Sequence, residues 1–294
     1  MPRSLFRPIA LLLLLLCLGL GACRRDVVAP GDPVAAVKGL AEAVHDNDLV
    51  RYSQLSLPPA LHQQMEARWA AQLAVAPPPS AEEQQEYARW MTRLTEPGAE
   101  AKLYRDLDPK LRKFEAELGS QWPMMKATGG IFVKGVIQAN DKLTPSEKDH
   151  ALAVSGAVLD WLKPQLFSDR DRAHQAIAVL TATARQLDLP TLAQSRALAM
   201  GPALEKGGVL LKGLKAMALI YGVDADAALA GVQATVTRVD GDVATLKVSY
   251  PLLDKTVSFD MELIRRDGRW YRADAVRSAE AELAQPLTPP APAR

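Results

Sequence analysis

The chain has 294 residues, of which 48% are hydrophobic and 23% charged, with 35 basic and 34 acidic side chains. This near-neutral balance argues against a protein that binds nucleic acid through electrostatic attraction. The apolar content is sufficient for a sizeable buried core, in one large domain or two small ones.

The first residues have the pattern of a secretory signal. Arg3 and Arg7 precede the apolar run Ile9–Leu16, and small residues follow as far as Cys23. The run has only about half of the ~20 residues that a transmembrane helix needs. The sequence therefore predicts a signal peptide at residues 1–22. Its removal takes away two arginines and leaves 33 basic and 34 acidic residues.

The end of this segment, Leu20-Gly-Ala-Cys23, resembles a bacterial lipobox, in which a signal peptidase cuts before an acylated cysteine. The resemblance implies a lipoprotein that carries acyl chains such as palmitate on Cys23, on a lipidated tether of residues 23–31. Arg24 stands where the family pattern has the Asp that retains lipoproteins at the inner membrane. This implies an outer-membrane anchor facing the periplasm. The alternative is an ordinary secretory signal that ends near a cysteine.

Residues 32–229 are predicted to be a helical region. Asp32-Pro33 is a typical helix start, and Ser80 with Glu83 and Thr144 with Glu147 have the spacing of capping boxes. Apolar residues at helical spacing follow these signals, and Trp69 and Trp90 fall on such stripes, which predicts that both are core residues.

From about Ala230 the apolar period changes to two, which predicts strands. We expect an antiparallel β meander over 230–278 that packs on the helices, with strands at 232–239, 243–250, 255–265 and 269–274. Asp240-Gly241 and Asp267-Gly268 are hairpin signals. Residues 279–294 are predicted to be a Pro-rich disordered tail. The fold class is therefore α+β and mostly helical, with the four-stranded meander at the C-terminal end.

Two similar segments, TGGIFVKGV at 128–136 and KGGVLLKGL at 206–214, indicate a weak internal repeat. Neither matches a phosphate-binding loop, because Lys134 precedes Gly135 and an apolar residue follows it. Glycines inside a helix instead favour a second helix that passes close by. We expect these segments to pack helices; the alternative is an exposed apolar face that contacts a lipid or a partner.

No catalytic, metal or cofactor pattern is present. The four histidines, His45, His62, His150 and His174, do not have ligand spacing, and we expect His62 and His174 to be hydrogen-bonded or solvated boundary residues. Ser155 lacks the Gly-x-Ser-x-Gly context of a nucleophile. The acidic pairs Asp169/Asp171 and Asp224/Asp226 precede helical segments, so we expect them to cap helices. The sequence thus predicts no enzyme, cofactor or metal site.

Both ends of the mature chain resemble one family. Asp32–Leu55 resembles the opening helix, and 236–248 and 263–271 resemble the closing hairpins, of small bacterial lipoproteins with the nuclear-transport-factor-two-like α+β roll. The resemblance implies a curved sheet with helices around it, while the helical middle, 58–229, is longer than the family's usual connection. Members of the family include enzymes, carriers and interaction modules, so fold does not decide function.

Three functions are open at this point. The first is a non-enzymatic binding or assembly module, attached to the bilayer through Cys23, with an envelope protein as partner and no nucleic acid. The second is a carrier of an apolar small molecule or lipid. The third is an envelope hydrolase without a recognisable motif. In the carrier hypothesis, a pocket between the glycine segments is lined by Ile131, Phe132, Val133, Val209, Leu210 and Leu211.

Overall fold

The computed structural model describes residues 27–118, 121–141 and 143–287. The predicted signal peptide, Cys23 and the last part of the predicted tail lie outside these ranges. Within them the fold is α+β and mostly helical, as the sequence predicts.

Helices α1–α12 precede the sheet and α13 follows it. Helices α1–α6 are Pro33–His45, Leu49–Ser56, Pro59–Val75, Ala81–Thr95, Ala99–Leu118 and Trp122–Ala139. Helices α7–α12 are Pro145–Trp161, Pro164–Ser168, Arg170–Leu187, Leu192–Arg196, Met200–Ile220 and Ala225–Ala230, and α13 is Ala273–Ala284. Strands β1–β4 are Gln233–Asp240, Val243–Leu252, Lys255–Arg266 and Arg269–Arg272.

The helix starts follow the side chains that the sequence marks as caps. The Asp32 carboxylate accepts a hydrogen bond from the Ala35 N–H at 2.7 Å, with Pro33 at the first helical position. Both predicted capping boxes, Ser80/Glu83 and Thr144/Glu147, are present. Each cap supplies acceptors for backbone N–H groups that have no partner inside the helix.

The strands form the predicted antiparallel meander, in the order β1-β2-β3-β4. Strand β4 pairs with the last four residues of β3, and none of the other described strands pairs with the rest of that outer edge. Helix α7 lies along this edge, where Ser146 Oγ accepts a hydrogen bond from the Asp260 N–H at 3.3 Å. A helix over an unpaired edge prevents pairing with another chain.

The main core lies between one face of the sheet and α1. Ala36 and Val37 of α1 pack with Leu246, Leu263 and Trp270, and these residues are all at most 5% exposed. On the opposite face, Tyr271 and Ile264 pack with Val276 of α13, with Leu57 just after α2 and with Leu61 of α3. The sheet is therefore covered by helices on both faces.

Two predicted boundaries are wrong at the chain ends. Residues 279–284 are the last part of α13 rather than disordered tail, because Ala279 is buried and Arg68 of α3 binds the Gln285 carbonyl at 2.8 Å. The predicted tether 23–31 is also shorter than expected. Ala29 is fully buried, and the Pro30 carbonyl accepts a hydrogen bond from the Trp270 N–H on the outer edge of β4.

The two glycine segments have different environments. In α11 the packing prediction is confirmed: an added Cβ would lie 2.3 Å from the Asn47 carbonyl oxygen at Gly208 and 2.3 Å from Thr183 Oγ1 at Gly213. In α6 the packing prediction is wrong except at Gly130, which lies against Leu159 of α7. The alternative given by the sequence analysis, an exposed apolar face, is the one that fits α6.

The prediction that Trp69 and Trp90 are core residues is also wrong. Their exposed fractions are 38% and 54%. The Trp69 indole donates a hydrogen bond to the Leu198 carbonyl at 2.9 Å, and Arg93 lies over the Trp90 ring at 5.7 Å. Amphipathic helices at the surface place large aromatic side chains at the boundary between core and solvent, where one part of the ring is buried and the other is solvent-exposed.

Candidate functional site

An apolar cavity of about 470 Å³ lies between the sheet and helices α1, α11 and α12. Its sheet wall comes from side chains of β2 and β3 that share one face because strand side chains alternate. The volume is within the range of small-molecule sites, which are mostly apolar with a few placed polar groups. The apolar lining consists of Val37, Leu40, Ala41, Val44, Leu211, Val223, Ala225, Ala228, Leu229, Val232, Val248, Leu252, Phe259 and Met261.

Tyr52 and Arg272 provide one polar part of the wall. Arg272 Nη1 donates to the Tyr52 hydroxyl at 2.6 Å, and Nε and Nη2 both donate to the Asp274 carboxylate. Burial acts to lower the pKa of Arg272, but the hydrogen bonds and the negative charge of Asp274 outweigh it and raise the pKa. Since the Tyr52 hydroxyl accepts from Arg272, its own proton is free to donate to a ligand.

His150 and Tyr250 form a second polar group of the wall. The His150 Nε2 and the Tyr250 hydroxyl oxygen are 2.9 Å apart, and the Phe259 ring lies 4.6 Å from the imidazole. Burial lowers the pKa of His150 and raises the pKa of Tyr250, because it disfavours the charged form of each. The pair is therefore neutral near pH 7 and can hydrogen-bond a ligand without presenting a charge.

Replacing His150 with glutamine is expected to flatten the pH dependence of stability below pH 6.5. The folded-state pKa of His150 is lowered from 6.5, so its contribution is complete above about pH 6.5 and is lost as the pH falls through the folded pKa. Chemical unfolding followed by circular dichroism between about pH 7.5 and 5 measures the slope. Tyr250→Phe is the control: it keeps the burial of His150 and should retain the slope. An equal slope in His150→Gln and the unchanged protein would contradict the assignment.

Lys215 of α11 is the fifth polar residue of the wall, and it is only 8% exposed. Its Nζ donates to the Val44 and His45 carbonyls, at 3.1 and 2.7 Å, and to the Asp226 carboxylate. The carbonyls are at the C-terminal end of α1, where the helix dipole favours a cation. All three ammonium protons are used in these bonds. Lys215 therefore joins α11, α1 and α12 rather than facing a ligand as a free amine.

The structure separates the four histidines. Only His150 reaches the cavity. His62 is buried with its Nε2 3.1 Å from Ser53 Oγ, His174 stacks on Tyr104, and His45 lies beside Asp46. In the described ranges, no group of three or more His, Cys, Asp or Glu side chains is arranged to hold a metal ion.

The carboxylates of the two acidic pairs have the structural roles that the sequence predicts. Asp169 and Asp224 accept hydrogen bonds from backbone N–H groups at the starts of α9 and α12. Asp171 lies in the first turn of α9, and Asp226 lies in that of α12 and also pairs with Lys215. Ser155 Oγ donates to a carbonyl of its own helix at 3.0 Å.

The prediction of a pocket between the two glycine segments is wrong. Of the two helices that carry these segments, α11 borders the cavity and α6 does not. Of the residues expected there, Leu211 lines the cavity, whereas Ile131 and Phe132 are 75% and 70% exposed. The sequence reasoning missed Tyr52, Tyr250 and Arg272. Strand alternation places Arg272 on the same face as Trp270, which was the available signal for that residue.

Within the part of the chain that the structure describes, no helix combines the length and the apolar character required to cross a bilayer. Comparison of the chain with protein-family models, curated proteins and solved structures found no match.

Proposed function

We propose that this protein is a non-enzymatic binding module of the bacterial cell envelope that carries an apolar small molecule or lipid. The observation behind this proposal is the cavity of about 470 Å³, whose wall is apolar except for a few hydrogen-bonding side chains. Its anchoring through Cys23 at the outer membrane, facing the periplasm, rests on the lipobox resemblance. The roll resemblance stays a prediction.

The two hydrogen-bonding groups favour an elongated ligand with a polar atom near each end. Arg272 is opposite Leu263 in the sheet and Tyr250 is opposite Val257, so their backbone positions are six residues apart along β3. At about 3.3 Å per residue these backbone positions are ~20 Å apart along the strand. The wall between them is apolar, which favours a hydrocarbon chain. A carbonyl or hydroxyl oxygen would accept the proton of Tyr52.

Hydrolysis has less support from the same residues. Lys215 uses its ammonium protons in structural hydrogen bonds, and Ser155 is bonded within its own helix. His150 is paired with a tyrosine rather than with a serine or cysteine nucleophile. A nucleophile beside a general base is the arrangement that acyl-transfer chemistry requires.

Native mass spectrometry of residues 24–294, purified from the periplasm, tests the carrier proposal. This segment retains every described residue, so it keeps every contact reported for the fold. We expect an additional mass of a few hundred daltons that is lost on unfolding. Ala228→Phe should remove it, because the larger side chain fills the cavity.

Ala281→Phe is the matched control, since Ala281 is exposed on α13 and a larger side chain there leaves the cavity unchanged. Protein without bound mass would contradict the proposal, and so would a bound mass that Ala228→Phe does not reduce. A protein-sized addition would instead identify an envelope protein partner.

A further inference from the structure

Helix α6 has an exposed apolar face. It packs against α7, and its other sides carry large apolar side chains that are 42% to 75% exposed. Gly129 and Gly135 have open space where a Cβ would lie, so close packing within the chain does not require them. Exposed apolar patches of this kind mark interaction sites. The exposed side chains are Met124, Met125, Ile131, Phe132 and Val136.

The charges of α6 favour a negatively charged surface as the partner. From Trp122 to Ala139 the helix contains Lys126 and Lys134 and no acidic residue. Lys126 lies 3.8 Å from Asp160 of α7, but that carboxylate is held more closely by Lys255 at 2.5 Å. Apolar side chains combined with lysines are typical of helices that lie among the headgroups of anionic lipids.

The position of α6 places it on the same side of the sheet as the predicted anchor. Helix α7 covers the outer edge of β3, and α6 packs on α7. The N-terminal segment lies on the outer edge of β4, where Pro30 pairs with Trp270. Cys23 precedes Val27 by four residues, which span at most about 14 Å. A bilayer along this edge would therefore contact both features.

We propose that the exposed face of α6 binds the anionic surface of the bilayer in which Cys23 is anchored. The acyl chains hold the protein at the membrane, and α6 sets its orientation. His150 of α7 borders the cavity, so this orientation holds that end of the cavity towards the lipid. The inference shares the anchor with the proposed function but does not depend on a ligand.

Co-sedimentation of residues 24–294 with lipid vesicles tests the contact without the anchor. We expect binding to vesicles of phosphatidylcholine with phosphatidylglycerol, weaker binding to phosphatidylcholine alone, and further weakening at high salt. The double change Ile131→Ser and Phe132→Ser should reduce binding roughly tenfold or more, because both side chains would enter the interface. Both positions are exposed, so circular dichroism should show an unchanged fold.

The matched control is Leu214→Ser with Leu219→Ser on α11, which removes two side chains of similar exposure, 63% and 56%, from another helix. It should leave vesicle binding unchanged. The proposal is overturned if the protein does not bind anionic vesicles or if the two double variants bind these vesicles equally well. It is also overturned if sedimentation velocity shows a dimer that only the α6 variant dissociates, because the face would then bind a second copy.

The anchored protein gives an independent measurement. The full sequence has two cysteines, Cys17 in the predicted signal peptide and Cys23 at the predicted anchor, so Phe132→Cys introduces a single labelling site outside residues 1–23. An environment-sensitive fluorophore at position 132 should emit at shorter wavelength in membranes, whereas one introduced by Leu214→Cys should not. Equal spectra at the two positions would contradict the proposal, whether or not the cavity is found to bind a ligand.

Discussion

Replacing Lys215 with methionine is expected to lower the free energy of unfolding by about 3 kcal/mol. Methionine keeps most of the apolar stem but removes the donor for the Val44 and His45 carbonyls at the end of α1. Asn47 also donates to both carbonyls, from its N–H to Val44 at 3.2 Å and from Nδ2 to His45 at 3.4 Å, so the cost lies in the loss of the charged hydrogen bonds that join α11 to α1. The Asp226 side chain is 51% exposed and regains water. Urea unfolding measured by circular dichroism gives the change in midpoint and slope.

Lys212→Met is the control for this change, because Lys212 is three residues earlier on the same helix and exposed. Its effect should remain within about 0.5 kcal/mol. Lys215 joins three helices that line the cavity, so its loss should also weaken retention of any bound mass. Equal stability of the two variants would show that the hydrogen bonds from Asn47 are sufficient for both carbonyls and that Lys215 does not hold the helices together.

Replacing Gly208 with alanine is expected to destabilise the protein by about 2 kcal/mol, although alanine is the better helix former. The added Cβ would lie 2.3 Å from the Asn47 carbonyl oxygen, which is backbone and cannot rotate away. Asn47 has a φ of 60°, in the turn between α1 and α2. Helix α11 would have to move away from this turn. Lys215, which donates hydrogen bonds to the end of α1, would move with it.

The control for this change is Gly129→Ala in α6, where a Cβ meets nothing within 4 Å. Without a clash, the helix propensity of alanine should raise stability by up to about 1 kcal/mol. Thermal and urea unfolding of the two variants should therefore give opposite signs. A destabilising effect at both positions would mean that α6 is packed more tightly than its exposed face indicates.

Much of the secondary structure could be predicted because it depends on nearby residues. Caps such as Asp32 and Ser80 bond backbone groups three residues away, so both parts of the interaction are adjacent in the sequence. The strands follow in the same way from alternation and from the Asp-Gly turns at 240–241 and 267–268, where Gly241 and Gly268 have positive φ. Helix α13 was missed because its short Ala- and Glu-rich pattern precedes a Pro-rich end.

The different environments of the glycine segments were decided only by the tertiary structure. Their sequences are similar, yet Gly208 and Gly213 lie against other elements, whereas a Cβ at Gly129 or Gly135 would meet no atom within 4 Å. A glycine indicates that a close approach is permitted, but not which element approaches. The same argument applies to Lys215: its position in α11 resembles that of an exposed lysine until the end of α1 lies against it.

The sequence by itself determined the fold class and most helix and strand positions, because these depend on local periodicity and caps. Only the tertiary structure decided where the cavity lies and which side chains are exposed. Tyr52 and Arg272 are 220 residues apart in the chain, and their contact depends on how α2 and β4 pack. Burial results from packing among distant elements, and no local pattern contains that information.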